Sequence, residues 1–372
     1  MLSLRDYARE QLALVEQRSL TRHITETERL GGTRVRRGGK EYVSFSCNDY
    51  LGLTHHPKVI AAARGALERY GTGAGASRLV TGSHPLYAEL ERLLAEIKGT
   101  ERSLVFSSGY MANLGVIPAL VGEEDLIVAD RLCHACMWDG ARLSGATVMR
   151  FDHNDRDHCE YVLEAHRGGF GRCLIMTESV FSMDGDRGAV LGLSSLAARY
   201  QAWLMTDDAH DLMMDLPSGA DVKMGTLSKA VGSCGGYVCG PSELIEWLSN
   251  RARSLMFSTG LPPASAAAAT AALRIMRDDQ ELCRTPLENA RRFTAALGRQ
   301  PAVSQIVPVI IGEPERALVA SAMLQEHGLL AVAIRPPSVP PGTARLRFTF
   351  SALHEAEPIE RAAELLKKHG YA

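Results

Sequence analysis

The chain has 372 residues, 46% of them hydrophobic and 23% charged, and 41 lysines and arginines against 43 acids leave a formal net charge of −2. That length and composition predict a globular protein with a sizeable core and more than one domain. The balanced charge excludes nucleic acid as the main partner, no run approaches the ~18 apolar residues of a membrane span, and the eight cysteines are scattered without a disulfide framework.

The chain opens on MLSLRDYAREQLALVEQ, where Leu4, Ala8, Leu12 and Val15 fall near helical spacing. This segment lacks the apolar core of a signal peptide, and with reduced cysteines it points to a cytoplasmic protein. Residues 1–45 read as this helix followed by a short β-rich stretch turning at Gly31-Gly32 and Gly38-Gly39. From 46 to 278 short apolar runs alternate with helical patterns. Ser103–Phe106, Asp125–Ala129, Cys173–Met176, Trp203–Thr206 and Tyr237–Cys239 are expected strands. Pro85–Ile97, Ser194–Tyr200 and Ala264–Met276 are expected helices. Such alternation predicts an α/β domain with a parallel sheet covered on both faces. Residues 279–372 carry their own helix, strand and helix signals and read as a smaller α/β domain.

In parallel sheets ligands bind beyond the carboxyl ends of strands, so the residues after each apolar run carry the chemistry. Ser103–Phe106 is followed by Ser107-Ser108-Gly109-Tyr110 and a helical pattern, which suits an anion at a helix N-terminus and equally a plain serine cap. After Trp203–Thr206 stand Asp207-Asp208-Ala209-His210, readable as a metal site, a cofactor site or a surface turn. Lys229 then appears as the one charged side chain of GTLSKAVGSCGG (225–236). An acid at a strand end and a lysine in a small-residue loop suit pyridoxal phosphate. The lysine forms a Schiff base with the aldehyde, and the acid keeps the pyridine nitrogen protonated so that the ring accepts electrons. Other readings fail on the residues. Cys133-His134-Ala135-Cys136 has no second pair at zinc spacing, so no metal is expected. There is no GxxxxGK[ST] run, and GTGAGASRLVTG (71–82) lacks the third glycine of a dinucleotide loop.

The stretches NDYLGL (48–53), GASRLVTG (75–82), FSSGYMANLGVI (106–117), DRLCHACMWDGARLSGA (130–146), FDHND (151–155), TESVFSMDGD (177–186), TDDAH (206–210), GTLSKAVGSCGGY (225–237), FSTGLPP (257–263) and IRPPSVPPGTARLRFT (334–349) resemble the α-oxoamine synthases. These are fold-type I pyridoxal-phosphate enzymes that condense an amino acid with an acyl-CoA. The resemblance spans nearly the whole chain. It implies a large domain with a mostly parallel seven-stranded sheet between helices, a smaller C-terminal domain, and a homodimer with shared active sites. The wording is closest to the biotin-pathway branch, which joins L-alanine to pimeloyl-CoA or a pimeloyl carrier protein and releases CoA and carbon dioxide. Sister branches condense glycine with acetyl-CoA or succinyl-CoA, or take longer acyl chains.

Residue roles follow from the resemblance. Lys229 would anchor the cofactor and act as the base at the substrate Cα. Asp207 would bond the pyridine nitrogen, His210 the phenolic oxygen with Ser182 nearby, and His134 would stack on the ring. Gly109 and Tyr110 amides, Thr226 and Ser228 would hold the phosphate, helped by Ser258 and Thr259 of the neighbouring copy. Arg347 would take the amino-acid carboxylate, Arg22 the acyl end, and Asn48 would line the substrate pocket. One segment departs from the family pattern. After His210 the chain reads DLMMDLPSGADVKM, with Asp211, Met213 and Met214 where small residues are expected and a shorter connector, so substrate entry or specificity is expected to differ.

Overall fold

The computed structural model describes residues 2–211 and 219–371. Met213 and Met214 lie outside the described residues; Asp211 lies inside them. The N-terminal segment holds helix α1 (Leu4–Gln17) and strands β1 (Glu28–Gly31), β2 (Arg34–Arg37) and β3 (Lys40–Ser44). Next come α2 (Pro57–Tyr70), α3 (Pro85–Lys98), β4 (Arg102–Phe106), α4 (Gly109–Leu120), β5 (Leu126–Asp130), α5 (Ala135–Ser144), β6 (Thr147–Phe151) and α6 (Arg156–His166). They lead to β7 (Cys173–Glu178), α7 (Val190–Arg199), β8 (Trp203–Asp207), β9 (Val222–Thr226), β10 (Gly236–Gly240), α8 (Ser242–Arg251), α9 (Arg253–Met256) and α10 (Pro263–Asp278). The chain closes with α11 (Gln280–Leu297), β11 (Ile306–Gly312), α12 (Pro314–Glu326), β12 (Leu329–Leu330), β13 (Ala333–Ile334), β14 (Ala344–Thr349) and α13 (Ala356–Lys368).

Two compact units emerge, residues 48–182 with 186–284, and residues 1–47 with 183–185 and 285–372. The N-terminal segment therefore groups with the C-terminal residues rather than standing apart as 1–45. The physical reason is backbone pairing: β12 joins β3 in parallel, with Leu329 opposite Val43. The smaller unit also holds a sheet of order β11-β14-β13. Its core is aromatic, with Phe45, Phe293, Phe348 and Phe350 all fully buried.

The larger unit carries the expected seven-stranded sheet, in order β4-β10-β9-β8-β7-β5-β6. Strands β5 to β9 pair in parallel, and β10 alone runs against its neighbours β4 and β9. β5 (LIVAD) and β7 (CLIMTE) are buried along their whole length, as strands covered on both faces must be. Helix α3 shows how the covering layer is coded. Pro85 stands in its first turn, Gly99 closes it at φ 60°, and Tyr87, Leu90, Leu93 and Leu94 make its buried stripe.

Strands β6 and β9 were absent from the sequence expectation. TVMRF (147–151) is an edge strand of mixed exposure, and VKMGT (222–226) carries a lysine and a glycine. Neither gives the continuous apolar run by which a buried strand is recognised. Beyond the strand ends, His153 stands between two carboxylates. Its Nδ1 is 3.1 Å from both Asp130 oxygens and its Nε2 is 2.7 Å from Asp186 Oδ2. Asn154 adds a backbone bond to Asp130 at 2.8 Å and a side-chain bond to Asp186 at 2.7 Å. This clamp ties the end of β5 to the loop after β7.

Candidate active site

Within the larger unit, the candidate residues gather at the carboxyl edge of the sheet because the strands bearing them end there. β8 ends at Asp207 and is followed by His210, β9 ends at Thr226 and is followed by Lys229, and β5 ends at Asp130 shortly before His134. Lys229 Nζ lies 2.8 Å from His210 Nε2, and His210 Nδ1 lies 2.7 Å from the Tyr50 hydroxyl, which donates to Asn48 Oδ1 at 3.1 Å. Proton directions follow from the ends of this chain of bonds. A lysine ammonium can only donate, so Nε2 accepts, Nδ1 carries the imidazole proton, and Tyr50 passes its own to Asn48. Asn48 thus reaches the lysine through two side chains.

Asp207 is 3% exposed. It accepts from the Asn113 side-chain amide at 3.0 Å and from the Ala209 backbone N–H at 3.0 Å. Burial pushes its carboxyl above the usual range, against the opposing pull of Lys229 and His134. In the neighbouring strand the partner of Asp207 is Glu178. Burial and the charge of Asp207 push Glu178 well above its ordinary value, while Lys229 and the backbone N–H groups of Ser182 and His134 oppose the rise. The Ser182 N–H to Glu178 distance is 3.3 Å. Two buried carboxyls side by side make a site short of positive charge.

His134 caps α5, its Nδ1 accepting the Cys136 backbone N–H at 3.3 Å, and burial lowers its pKa. On the far side of the site, Ser108 caps α4 through the Met111 N–H at 3.2 Å. The N–H groups of Gly109 and Tyr110 open that helix. The Tyr110 ring is exposed, with its hydroxyl bonded to Asp139. Thr226 and Ser228 share a hydroxyl bond of 2.8 Å. A Cβ on Gly109 would come within 3.3 Å of Thr226 Cβ, so helix start and hydroxyl pair stand in contact because that residue is glycine. Amide donors, two hydroxyls and a helix N-terminus form an anion cradle. A pyridine nitrogen that carries a proton answers the need of Asp207, and a phosphate answers the cradle. The residues present fit pyridoxal phosphate.

The remaining predicted residues fall elsewhere. Ser258 is half-buried and Thr259 exposed, the latter bridged to Ser77. Arg347, in the smaller unit, is buried on β14 and so is no surface arginine. Arg22, in that same unit, donates to the carbonyls of Arg335 and Pro336, the latter at 3.1 Å. Asp211 is bonded to Lys98 at 3.1 Å. Sequence reasoning gave no role to Tyr50, Asn113, Cys136 or Glu178. Asn113 had a signal, since it is a polar residue inside the apolar helix YMANLGVI and a buried amide needs partners.

Residues 40–366 match the aminotransferase class I and II family. A curated relative, the 8-amino-7-oxononanoate synthase of Methylobacterium nodulans, is 54% identical over 371 residues, covering 100% of this chain and 98% of its own. Among solved structures, the serine palmitoyltransferase of Sphingomonas wittichii superposes with a TM-score of 0.88 at 29% identity, over 98% of this chain and 96% of its own. A structure of SPT with its PLP internal aldimine superposes equally well, with a TM-score of 0.88 at 29% identity over 98% and 96%. The chain belongs to the aminotransferase class I and II family and, within it, to the α-oxoamine synthases.

Proposed function

We propose that this chain catalyses the decarboxylative condensation of L-alanine with pimeloyl-CoA, or with a pimeloyl carrier protein, to give 8-amino-7-oxononanoate, CoA and carbon dioxide, a step of biotin biosynthesis in the cytoplasm. The observation that carries this reading is the meeting of Lys229, His210, His134 and Asp207 at one edge of the sheet. Bound pyridoxal phosphate supplies an electron sink for the negative charge that develops at the substrate Cα.

The side chains do the rest. Lys229 would hold the cofactor, and its amine, when free, would be the base that takes the Cα proton. Asp207, kept in place by Asn113 and the Ala209 N–H, would stabilise a proton on the pyridine nitrogen. His210, oriented by Tyr50, would bond the phenolic oxygen with Ser182 alongside, and His134 would cover the ring face. The amides of Gly109 and Tyr110 and the hydroxyls of Thr226 and Ser228 would take the phosphate. A neighbouring copy completes it through its own Ser258 and Thr259, which makes the working form a homodimer. Arg347 is the bidentate partner for the alanine carboxylate, Arg22 meets the acyl end, and Asn48 lines the pocket. In the balance, the Cα–H, Cα–carboxylate and C–S bonds break, the new C–C bond joins Cα to the thioester carbonyl, the CoA thiolate takes up one proton, and another is delivered to Cα.

The test is CoA release by the loaded protein given L-alanine and pimeloyl-CoA, beside glycine and acetyl-CoA. Release with the first pair alone supports the assignment. Release with the second pair alone moves the chain to a sister branch. Loss of bound cofactor in K229A, beside an inert wild type, would leave the cofactor reading and remove the substrate one.

A further inference from the structure

Helix α5 lies close on α4 because Gly140 has no side chain. A Cβ there would stand 2.9 Å from the Asn113 carbonyl oxygen and 2.8 Å from Ile117 Cδ1. Cys136 sits one turn earlier on the same face of α5, so its thiol meets the Asn113 side chain. Asn113 Nδ2 donates to Cys136 Sγ at 3.0 Å and to Asp207 Oδ2 at 3.0 Å. Across the sulfur, His134 Nδ1 is 2.8 Å away. That nitrogen also accepts the Cys136 backbone N–H at 3.3 Å. A backbone N–H can only donate, so Nδ1 is unprotonated and the ring proton is on Nε2. Because Asn113 donates to the sulfur, the thiol hydrogen turns to Nδ1.

We propose that Cys136 is a positioning residue: its thiol, held by Asn113, adds to the backbone N–H a second hydrogen bond on Nδ1 that holds His134 in place as the neutral Nε2–H ring, while the same amide fixes Asp207. The two groups assigned to the cofactor ring, one over its face and one at its nitrogen, are thereby aligned as one unit. This inference rests on the roles of His134 and Asp207 proposed above. Its chemistry is internally consistent. Burial pushes the Cys136 thiol up to about 12, so the sulfur keeps its hydrogen, and burial favours neutral His134. Asp207 from β8 and Asp139 from α5 pull His134 toward the charged form, and Lys229 from the loop after β9 opposes them. Its backbone N–H faces Glu178 at the end of β7.

The test is ¹⁵N spectroscopy of histidine-labelled full-length protein, with and without pyridoxal phosphate, the His134 signal being assigned by its loss in H134N. Wild type should show the Nε2–H tautomer. C136A keeps the residue-136 N–H on Nδ1, and with it the tautomer, but should raise the His134 pKa by about half to one unit, because one of two hydrogen bonds to the neutral form is lost. The acid limb of the pH–kcat profile should rise with it while KM for alanine stays nearly constant. C136S keeps a donor and should restore both. A wild-type His134 protonated on Nδ1, or an unchanged titration in folded C136A, would overturn the proposal. The wild-type measurement needs no variant and overturns the proposal if Nδ1 carries the proton, and C136V offers a filled, donorless alternative where C136A fails to fold. Because the tautomer is read on the protein itself, absence of CoA release would count against the proposed reaction and not against this assignment.

Discussion

Asp207 and Asp208 are consecutive in sequence and both are buried, 3% and 6% exposed, yet the chain treats them in opposite ways. Asp208 accepts from Lys98 Nζ at 2.9 Å and from the Ser179 hydroxyl. Burial works against its charge, but Lys98 and Ser179 outweigh it and hold the carboxyl below its ordinary range. Asp207 takes neutral donors from Asn113 and Ala209, and burial leaves its carboxyl raised. The structural acid has its cation supplied by the fold. Asp207 is held in place by neutral hydrogen bonds, and in the proposed function its positive partner is the pyridine nitrogen of the cofactor. Proximity in sequence says nothing about which is which; the partners do.

This contrast can be broken by exchanging each carboxylate for an amide. D207N should lower CoA release by about 10³-fold, comparable to losing other preorganised charge at an active site, with a urea midpoint close to wild type. D208N should do the reverse, losing stability first because Lys98 is left with one partner fewer. If both variants lost activity and stability in equal measure, the division of labour would fail. Removing the cation sharpens the same point. K98M strands Asp208 and Asp211 in the interior, and breaking a buried ion pair from one side costs about 3–5 kcal/mol, readable in chemical denaturation.

His153 is a third case, a half-buried cation rather than an anion. Burial opposes its charge, but the hydrogen bonds to Asp130 and Asp186 raise its pKa to about 10. A folded pKa above the unfolded value near 6.5 means that its stabilisation is complete below pH ~6.5 and is lost as pH rises toward 10. Thermal melts of wild type should therefore fall across that window, and those of H153Q should be flatter there. The smallest effect belongs to the cradle. T226A removes one hydroxyl among several donors and should weaken pyridoxal phosphate binding about tenfold, near 1.4 kcal/mol, by equilibrium titration.

Much of this was legible in the sequence, for reasons that differ by element. Trp203–Thr206 and Cys173–Met176 were visible because strands buried on both faces read as unbroken apolar runs, and the structure extends them only to Asp207 and Glu178. Helix Ala264–Met276 was visible through its alanines and the preceding prolines; it runs Pro263–Asp278. β9 was hidden by Lys223, whose ammonium reaches the Lys98 carbonyl at 2.9 Å, a contact no local pattern encodes. At the site, Lys229 and Asp207 announced themselves by standing charged among small or apolar neighbours. Tyr50 and Cys136 could not, because a tyrosine in NDYLGL and a cysteine in CHAC look like ordinary core residues until the fold sets them against His210 and His134.

The reversed strand β10 has a bearing on the order of assembly. β4 lies at the edge of the sheet and borders β10 alone, while β10 on its other side pairs with β9. Gly236 therefore stands opposite both Phe106 and Thr226, with no side chain to hold apart the two loops that follow them. The strand that enters the sheet last in sequence stitches its earliest strand to the rest. A nascent chain ending before Gly236 already contains every residue assigned to the cofactor ring, yet the two walls of its phosphate cradle have no common strand. The five residues of β10, none of them assigned to the cofactor, thus hold the two walls of the cradle together.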